Sequence, residues 1–119
     1  MNDIGWAEQQ VAKARREGNR RALASNLSSL GNMYAVAYNA QKAIPTLSEA
    51  ICLLTDLNEL DLASTACKNM ASVYDMLLQD YATAAKYMEM AANLASPGNS
   101  SKNSYANMAA SLRERARGR

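Results

Sequence analysis

The sequence predicts an all-α protein built from about six helices, arranged as stacked antiparallel hairpins. Ala dominates the composition, Pro occurs only twice, and runs of β-branched residues are missing, so local propensity favours helix almost throughout. Apolar residues recur at the i, i+3, i+4, i+7 spacing of amphipathic helices. The connections between these periodic segments are short, which favours antiparallel neighbours.

The first three helices are predicted from this spacing and from the residues that end them. Gly18 is suited to a left-handed C-terminal cap and ends the first helix. A short polar turn at 38–41 separates the second helix from the third. Pro45 lies inside the third helix and removes one hydrogen bond, so we expect a kink that is tolerated near the helix start. The predicted ranges are 5–17, 19–38 and 40–54.

The last three helices are bounded by turn residues in the same way. Asp56 or Asn58 is a candidate cap for the fourth helix. Segment 96–101, rich in Ser with Pro and Gly, is the clearest helix breaker in the chain. Ser100 or Ser101 is a candidate cap for the sixth helix. The predicted ranges are 59–78, 81–95 and 102–115, the last with a frayed basic end.

An internal repeat relates these helices to one another. The second, fourth and sixth share the pattern large–x–x–large–small–x–x–large, which begins at Leu27, Cys67 and Tyr105. The first, third and fifth share small–x₃–large–x₂–small. We expect Gly31, Ala71 and Ala109 to lie where paired helices cross, because larger side chains would separate the backbones. The patterns stand at Leu27–Leu30–Gly31–Tyr34, Cys67–Met70–Ala71–Tyr74 and Tyr105–Met108–Ala109–Leu112, and at Ala7–Val11–Ala14, Ala43–Leu47–Ala50 and Ala84–Met88–Ala91.

These patterns resemble the tetratricopeptide repeat, in its longer branch of roughly 40 residues. Leu30–Gly31–Asn32 is similar to the Leu-Gly-Asn motif of spindle-orientation adaptors, and Pro45, two residues after Ala43, is similar to the Ala-x-Pro of kinesin light-chain repeats. The resemblance implies a right-handed α-solenoid. It divides a single domain, 1–119, into a half repeat at 5–17, repeats at 19–54 and 59–95, and a closing helix at 102–117.

The resemblance also implies a concave groove, formed by the first helix of each repeat, that binds a peptide. Asn32, Asn69 and Asn107 recur at nearly equivalent places, where a ladder of carboxamides would hold a peptide backbone. The alternative is that they are ordinary polar residues of a solvated face. A chaperone-type carboxylate clamp is disfavoured because Ser28 stands where that subfamily has a lysine. The predicted groove residues are Ser25, Ser28, Asn32, Thr65, Lys68, Asn69, Ser72, Asp75, Asn103, Asn107 and Arg113.

The composition argues against an enzyme. His is absent, which removes the commonest general base and metal ligand. No Gly-rich phosphate loop or metal-spaced cysteine set is present. We therefore expect no catalytic residue, no cofactor and no metal. Cys52 and Cys67 are predicted to be buried reduced thiols, with a disulfide or a reactive thiol as the alternative. Reduced thiols, with no secretory pattern in 1–10, favour the cytoplasm.

The charges are unevenly distributed. Segments 1–23, 24–95 and 96–119 carry +2, −4 and +4. The terminal run Arg113, Arg115, Arg117 and Arg119 is predicted to be a solvated helix end; contact with RNA or an acidic membrane, or self-association, are the alternatives. Because the basic residues do not form one stripe, nucleic-acid binding is disfavoured. Trp6 is predicted to pack on the first helix, and otherwise to be an exposed anchor.

The predicted function is a protein–protein interaction module, a scaffold or adaptor that binds an extended or helical peptide. Segment 49–75 is also similar to part of the soluble NSF attachment proteins, so an adaptor in membrane fusion or sorting is the alternative. We expect a protein or peptide partner, with self-association possible. No apolar run approaches the roughly 18 residues of a membrane span, so no membrane insertion is expected.

Overall fold

The computed structural model describes residues 3–118, and all of its regular structure is helical. Six α-helices follow one another, and a π-helical segment, here called the π turn, continues the fourth. No strand occurs among the described residues, so the all-α prediction is confirmed. The elements are α1 (Ile4–Glu17), α2 (Arg20–Val36), α3 (Ala40–Asp56), α4 (Leu60–Ser72), the π turn (Val73–Leu77), α5 (Tyr81–Leu94) and α6 (Lys102–Arg117).

Each helix packs chiefly against its neighbours in the chain, and the pairs α2–α3, α4–α5 and α5–α6 are the most intimate. The chain measures 46 × 31 × 21 Å along its principal axes, so it is longer in one direction than in the others. Among residues 3–118, no helix is both long enough and apolar enough to cross a membrane.

One turn geometry joins the first four helices. A residue with positive φ follows each helix, and the next residue is the N-cap of the following helix. The N–H of that N-cap donates to the carbonyl five residues earlier, the bond that closes a Schellman motif. The positive-φ residues are Gly18, Tyr38 and Asn58, at 66°, 61° and 60°, and they are equally spaced along the chain. The closing bonds run from Asn19 to Ala14, from Asn39 to Tyr34 and from Glu59 to Leu54, at 3.1, 2.8 and 2.8 Å.

The fourth turn contains one residue more. Gln79 has φ 53°, and it lies one position later than the spacing of the first three turns would place it. The Asp80 N–H donates to the Tyr74 carbonyl, six residues earlier, at 2.8 Å. The extra residue is accommodated by the π turn, where the Leu78 N–H donates to the Val73 carbonyl at 3.2 Å. Such single wide turns are how an α-helix usually accommodates π geometry.

The connection between α5 and α6 has a different construction. The Asp61 carboxylate of α4 accepts hydrogen bonds from the Ser96 N–H and hydroxyl and from the Asn99 carboxamide, at 2.9, 3.1 and 3.0 Å. The Lys102 ammonium donates to two carbonyls at the end of α5, at 2.7 and 2.9 Å. The connection is therefore fastened from α4 and from α6. It carries no positive-φ residue.

Small residues let the paired helices approach closely, as the sequence predicted. A Cβ added to Gly31 would lie 2.6 Å from both Cγ and Cδ2 of Leu47 on α3, well inside van der Waals contact. Ala71 and Ala109 are buried at the corresponding places. Leu47 is fully buried, so α2 and α3 meet at a Gly–Leu contact that leaves no room for a side chain at residue 31.

The caps differ from several predictions. α3 begins at Ala40, the predicted start of the third helix, and the Asn39 side chain caps it by accepting from the Lys42 N–H. Neither Asp56 nor Asn58 caps α4. Asn58 is instead the positive-φ residue, a conformation that Asn tolerates better than most residues.

Three other expectations at the helix ends and faces were wrong. The Ser101 side chain makes no cap bond to α6, although Ser101 occupies the N-cap position. Trp6 is 62% exposed rather than packed, because α1 is the first helix and nothing in the described chain covers its outer face. Cys52 is exposed, whereas Cys67 is buried as predicted.

Candidate functional site

The open faces of α2 and α4 correspond when Leu27 is aligned with Cys67. These two residues are buried at equivalent points of the two core faces. Because successive residues of an α-helix are rotated by about 100°, Asn32 and Ser72 lie together on the opposite, open faces. The remaining predicted groove residues of these two helices, namely Ser25, Ser28, Thr65, Lys68 and Asn69, occupy the same open faces and are exposed or half-buried.

An apolar cavity of about 370 Å³ lies between the end of α2 and the π turn. Asn32 and Ser72 line it with six apolar or aromatic residues, so two of the predicted groove residues meet there. Three of the lining side chains are largely exposed: Val36 at 72%, Tyr38 at 83% and Met76 at 74%. The other members of its wall are Ala35, Val73 and Leu77.

A smaller cavity of about 150 Å³ lies on the other side of α4, between α4 and α6. Its floor is apolar, and Asp75 and Arg115 stand at its rim 3.6 Å apart as an ion pair. The Arg115 guanidinium also lies 5.5 Å from the centre of the Tyr81 ring. Ser72 lines this cavity as well as the first. The two cavities therefore flank the end of α4 and share Ser72; together they are here called the groove.

Hydroxyl groups on the open face of α4 donate to their own helix. Ser72 Oγ donates to the Lys68 carbonyl at 3.1 Å, and Thr65 Oγ1 donates to the Asp61 carbonyl at 3.2 Å. Their protons are thus engaged within α4, and of the two residues only Ser72 lines the groove. Each hydroxyl oxygen retains the capacity to accept a hydrogen bond.

The structure does not bring all the predicted groove residues together. Asn103 and Asn107 are exposed on the face of α6 opposite buried Ala109, here called its outward face. Arg113 lies on the α5 side of α6, beside a cleft that it shares with Glu89.

The predicted asparagine ladder is also out of register. With Leu27 aligned to Cys67, Asn32 corresponds to Ser72, and Asn69 corresponds to Ser29, one helical turn away. With Tyr105 aligned to Cys67, Asn107 corresponds to Asn69, so Asn32 is out of register with the other two and the three carboxamides do not form one row.

The basic ends of the chain pair with its acidic centre. Arg113 pairs with Glu89 and Arg115 with Asp75, so the C-terminal run is not simply a solvated end; Arg117 pairs with Glu114 of its own helix, and Arg119 lies outside the described residues. At the other end the pairs are Arg15–Glu49, Arg20–Asp56 and Arg21–Glu59. The uneven charge distribution along the sequence thus becomes a set of ion pairs between helices.

Sequence reasoning missed the apolar members of the groove and its arginine. Val36, Tyr38 and Met76 look like ordinary apolar residues at helix ends, and only their exposure marks them as available. Val36 is one turn beyond Asn32, so extending the open face by four residues would have found it. No sequence signal marked Arg115 rather than Arg113, because the register of α6 depends on how the long α5–α6 connection folds.

Two titratable groups of the core have raised pKa values. Burial raises the pKa of the Cys67 thiol to about 11, which makes it a poor nucleophile at neutral pH. Burial, followed by its hydrogen bond to the Glu8 carboxylate, raises the pKa of Tyr34 to about 12. Within residues 3–118 no three Cys, Asp or Glu side chains are grouped so as to hold a metal ion.

The fold and the groove define an all-α protein of helical hairpins with one open, partly apolar face. Comparison of the chain with protein-family models, with curated proteins and with solved structures gives no match. The function is therefore inferred from the geometry of the hairpins and the groove.

Proposed function

We propose that this protein is a tetratricopeptide-like interaction module, a right-handed stack of hairpins that binds a segment of a partner protein in its groove. The segment is an extended or helical peptide. Under this proposal the protein is a cytoplasmic scaffold or adaptor and catalyses no reaction of its own.

The observation that carries the proposal is the repetition of one turn, at Gly18, Tyr38 and Asn58, at equal intervals along the chain. Equal turns at equal intervals give each of the first four helices the same relation to the next, which favours a regular stack. The Gly31–Leu47 contact adds the close helix crossing that such stacks need.

The groove supplies the second line of support. Exposed Val36, Tyr38 and Met76 around one cavity are unusual for a surface that meets only water. Asn32 and Ser72 beside them provide a carboxamide and a hydroxyl for the backbone of a bound peptide. Apolar side-chain sites next to backbone hydrogen-bonding groups are the pattern expected of peptide recognition.

The test is affinity capture from a lysate of the source cells, followed by mass spectrometry and by titration of synthetic segments of the captured protein. The groove variant carries Tyr38→Ala and Met76→Ala. The matched control carries Asn103→Ala and Asn107→Ala on the outward face of α6. We expect the groove variant to lose the partner, because each truncated anchor removes apolar contact area, and the control to keep it.

The control variant also tests whether the asparagines of α6 belong to the binding face. If the Asn103→Ala, Asn107→Ala variant lost the partner while the groove variant bound it normally, the binding face would be the outward face of α6. The groove proposal would then be wrong. Circular dichroism of both variants establishes that each retains its helix content.

A further inference from the structure

Two cavities that the groove does not include lie side by side between α5 and α6. One has a volume of about 360 Å³ and the other about 330 Å³. Glu89 and Arg113, which form an ion pair, line both cavities, so the two adjoin at this pair; together they are here called the α5–α6 cleft. The remaining lining residues are Ala92, Asn93, Ala106 and Ala109 in the 360 Å³ cavity, and Ala82, Ala85, Lys86, Ala116 and Arg117 in the 330 Å³ cavity.

The cleft has an apolar floor made of small side chains. In the repeat alignment of α3 with α5, Ile44 and Ile51 correspond to Ala85 and Ala92. Ile51 belongs to the core of the first hairpin, and Ile44 packs against it. Ala85 and Ala92 are buried as well, at 2% and 8% exposure, but they bring fewer atoms to fill the space beside α6. The cavities therefore have room for side chains that come from another molecule.

The charged groups that line the cleft are mostly basic. Lys86, Arg113 and Arg117 stand there with one carboxylate, that of Glu89, which makes three cations against one anion. Arg117 pairs with Glu114 of its own helix, but these two side chains are 71% and 72% exposed, so solvent screens the pair. Lys86 takes part in no ion pair among residues 3–118. A cationic rim around apolar cavities is complementary to a partner that carries both carboxylates and apolar side chains.

Glu89 occupies the place where a carboxylate of such a partner would meet Arg113. The Glu89 and Arg113 side chains are each a little under half exposed, so an incoming carboxylate can reach the guanidinium. Glu89 is thus an internal competitor for Arg113. Its removal should strengthen the binding of an acidic partner, an effect that a purely structural ion pair would not produce.

We propose that the α5–α6 cleft is a second interaction surface, which binds an acidic amphipathic helix of a partner protein. Ala85 lines one cavity and Ala92 the other, and seven residues of an α-helix span about 10.5 Å. A docked helix repeats the same distance between its residues i and i+7, so two large apolar side chains enter the two cavities together. Carboxylates beside them meet Lys86, Arg113 and Arg117.

This surface is separate from the groove, because no residue that lines the cleft lines either groove cavity. The proposal therefore goes beyond the function proposed for the groove and is tested independently of it. A failure of the groove variant to lose its partner would leave the cleft unaffected.

The experiment titrates isotope-labelled protein with synthetic peptides and follows the amide chemical shifts by NMR. The probe is an amphipathic peptide of about four helical turns, with Leu at i and i+7 and Glu at the flanking positions. Three matched peptides replace Glu by Lys, replace Leu by Ala, or place a Pro at the centre to prevent helix formation. A single-stranded RNA oligonucleotide tests whether the basic groups bind any polyanion.

We expect the acidic peptide to shift the amides of 82–93 and 106–117 in a saturable way. The three matched peptides should bind about tenfold more weakly or not at all. If the basic, Leu-free or Pro peptide binds as well as the acidic one, or if the RNA binds these residues more tightly, the proposal is wrong.

Variants of the protein locate the site. Glu89→Gln should bind the acidic peptide severalfold more tightly, because the competitor of Arg113 is gone, and Lys86→Gln should bind it more weakly. Ala106→Leu fills one cavity from its exposed side and should reduce binding, whereas Ala110→Leu, an equally exposed change on α6 outside both cavities, should not. Equal binding by the two Leu variants would contradict the proposal. So would loss of peptide binding in the groove variant, Tyr38→Ala with Met76→Ala, because it would place the peptide in the groove.

Discussion

The two complete hairpins, α2–α3 and α4–α5, follow one sequence pattern but are fastened to the rest of the molecule differently. In the first hairpin Tyr34 is buried and its hydroxyl donates to Glu8 of α1. The equivalent Tyr74 of the second hairpin is only half-buried and stacks on Tyr87 of α5, with ring centres 5.6 Å apart. The same pattern position therefore contacts α1, outside the hairpin, in one case and the partner helix of its own hairpin in the other.

The difference shows what the repeat pattern determines and what it leaves open. The large and small positions fix how two helices of a hairpin cross, because these residues fill the space between the helices. They do not fix what lies beyond the hairpin, which differs between α1 and α6. Substitutions at the helix crossing and at the junctions beyond the hairpin separate these two levels.

The largest effect is expected at the crossing of α2 and α3. Leu47→Ala removes a fully buried side chain, and we expect it to lower the free energy of unfolding by about 3 kcal/mol. Gly31→Ala introduces a Cβ 2.6 Å from Leu47, and we expect a loss of about 2 kcal/mol through overpacking. Urea unfolding of the two single variants and of the double variant measures both effects.

The double variant is the informative member of this set. Ala at residue 47 makes room for a Cβ at residue 31, so the combined loss should be clearly smaller than the sum of the single losses. Additive losses would mean that the contact with Leu47 is not what excludes a side chain at residue 31. In the second hairpin, where Ala71 already stands at the equivalent position, Ala71→Gly should cost about 1 kcal/mol.

The next effect distinguishes Tyr34 from Tyr74. Tyr34→Phe removes a hydrogen bond to a carboxylate at the junction with α1, and we expect a loss of about 1 kcal/mol in the free energy of unfolding. Tyr74→Phe keeps the ring that stacks on Tyr87 and should cost less. Equal losses from the two variants would contradict the distinction between the two positions.

These contacts also show why sequence reasoning succeeded for the hairpins and only partly for the groove. The helix count and the crossing at Gly31 follow from local spacing, which repeats along the chain. The groove depends on where α6 lies relative to α4, and that is set by Asp61 holding the connection at Ser96 and Asn99. Because this contact joins residues that are far apart in the chain, no periodic pattern in the sequence predicts it.

Asp61 of the second hairpin holds the α5–α6 connection, and this contact should depend on pH. The hydrogen bonds from the Asn99 carboxamide and the Ser96 N–H hold the pKa of the Asp61 carboxyl below its usual range. The stabilisation is therefore present above the unfolded pKa of about 3.9 and is lost as the pH falls through the lower folded pKa.

Asp61→Asn tests this contact. We expect the wild type to lose more thermal stability between pH 6 and pH 2 than the variant loses, and the two to converge at the acidic end. Glu17→Gln, at the end of α1, is the control for removal of an exposed carboxylate. An unchanged pH dependence in Asp61→Asn would show that the α5–α6 connection is held by Lys102 instead.

The smallest effect is expected where the first hairpin meets α1 at the surface. Arg15 donates to both carboxylate oxygens of Glu49, at 2.7 and 3.1 Å, and this contact lowers the pKa of Glu49. Both side chains are about half exposed, so solvent screens the pair. A double-mutant cycle with Arg15→Gln and Glu49→Gln should give a coupling of about 0.5 kcal/mol that declines in high salt. A coupling unaffected by salt would show that Arg15 stabilises the junction by packing of its alkyl chain rather than by charge.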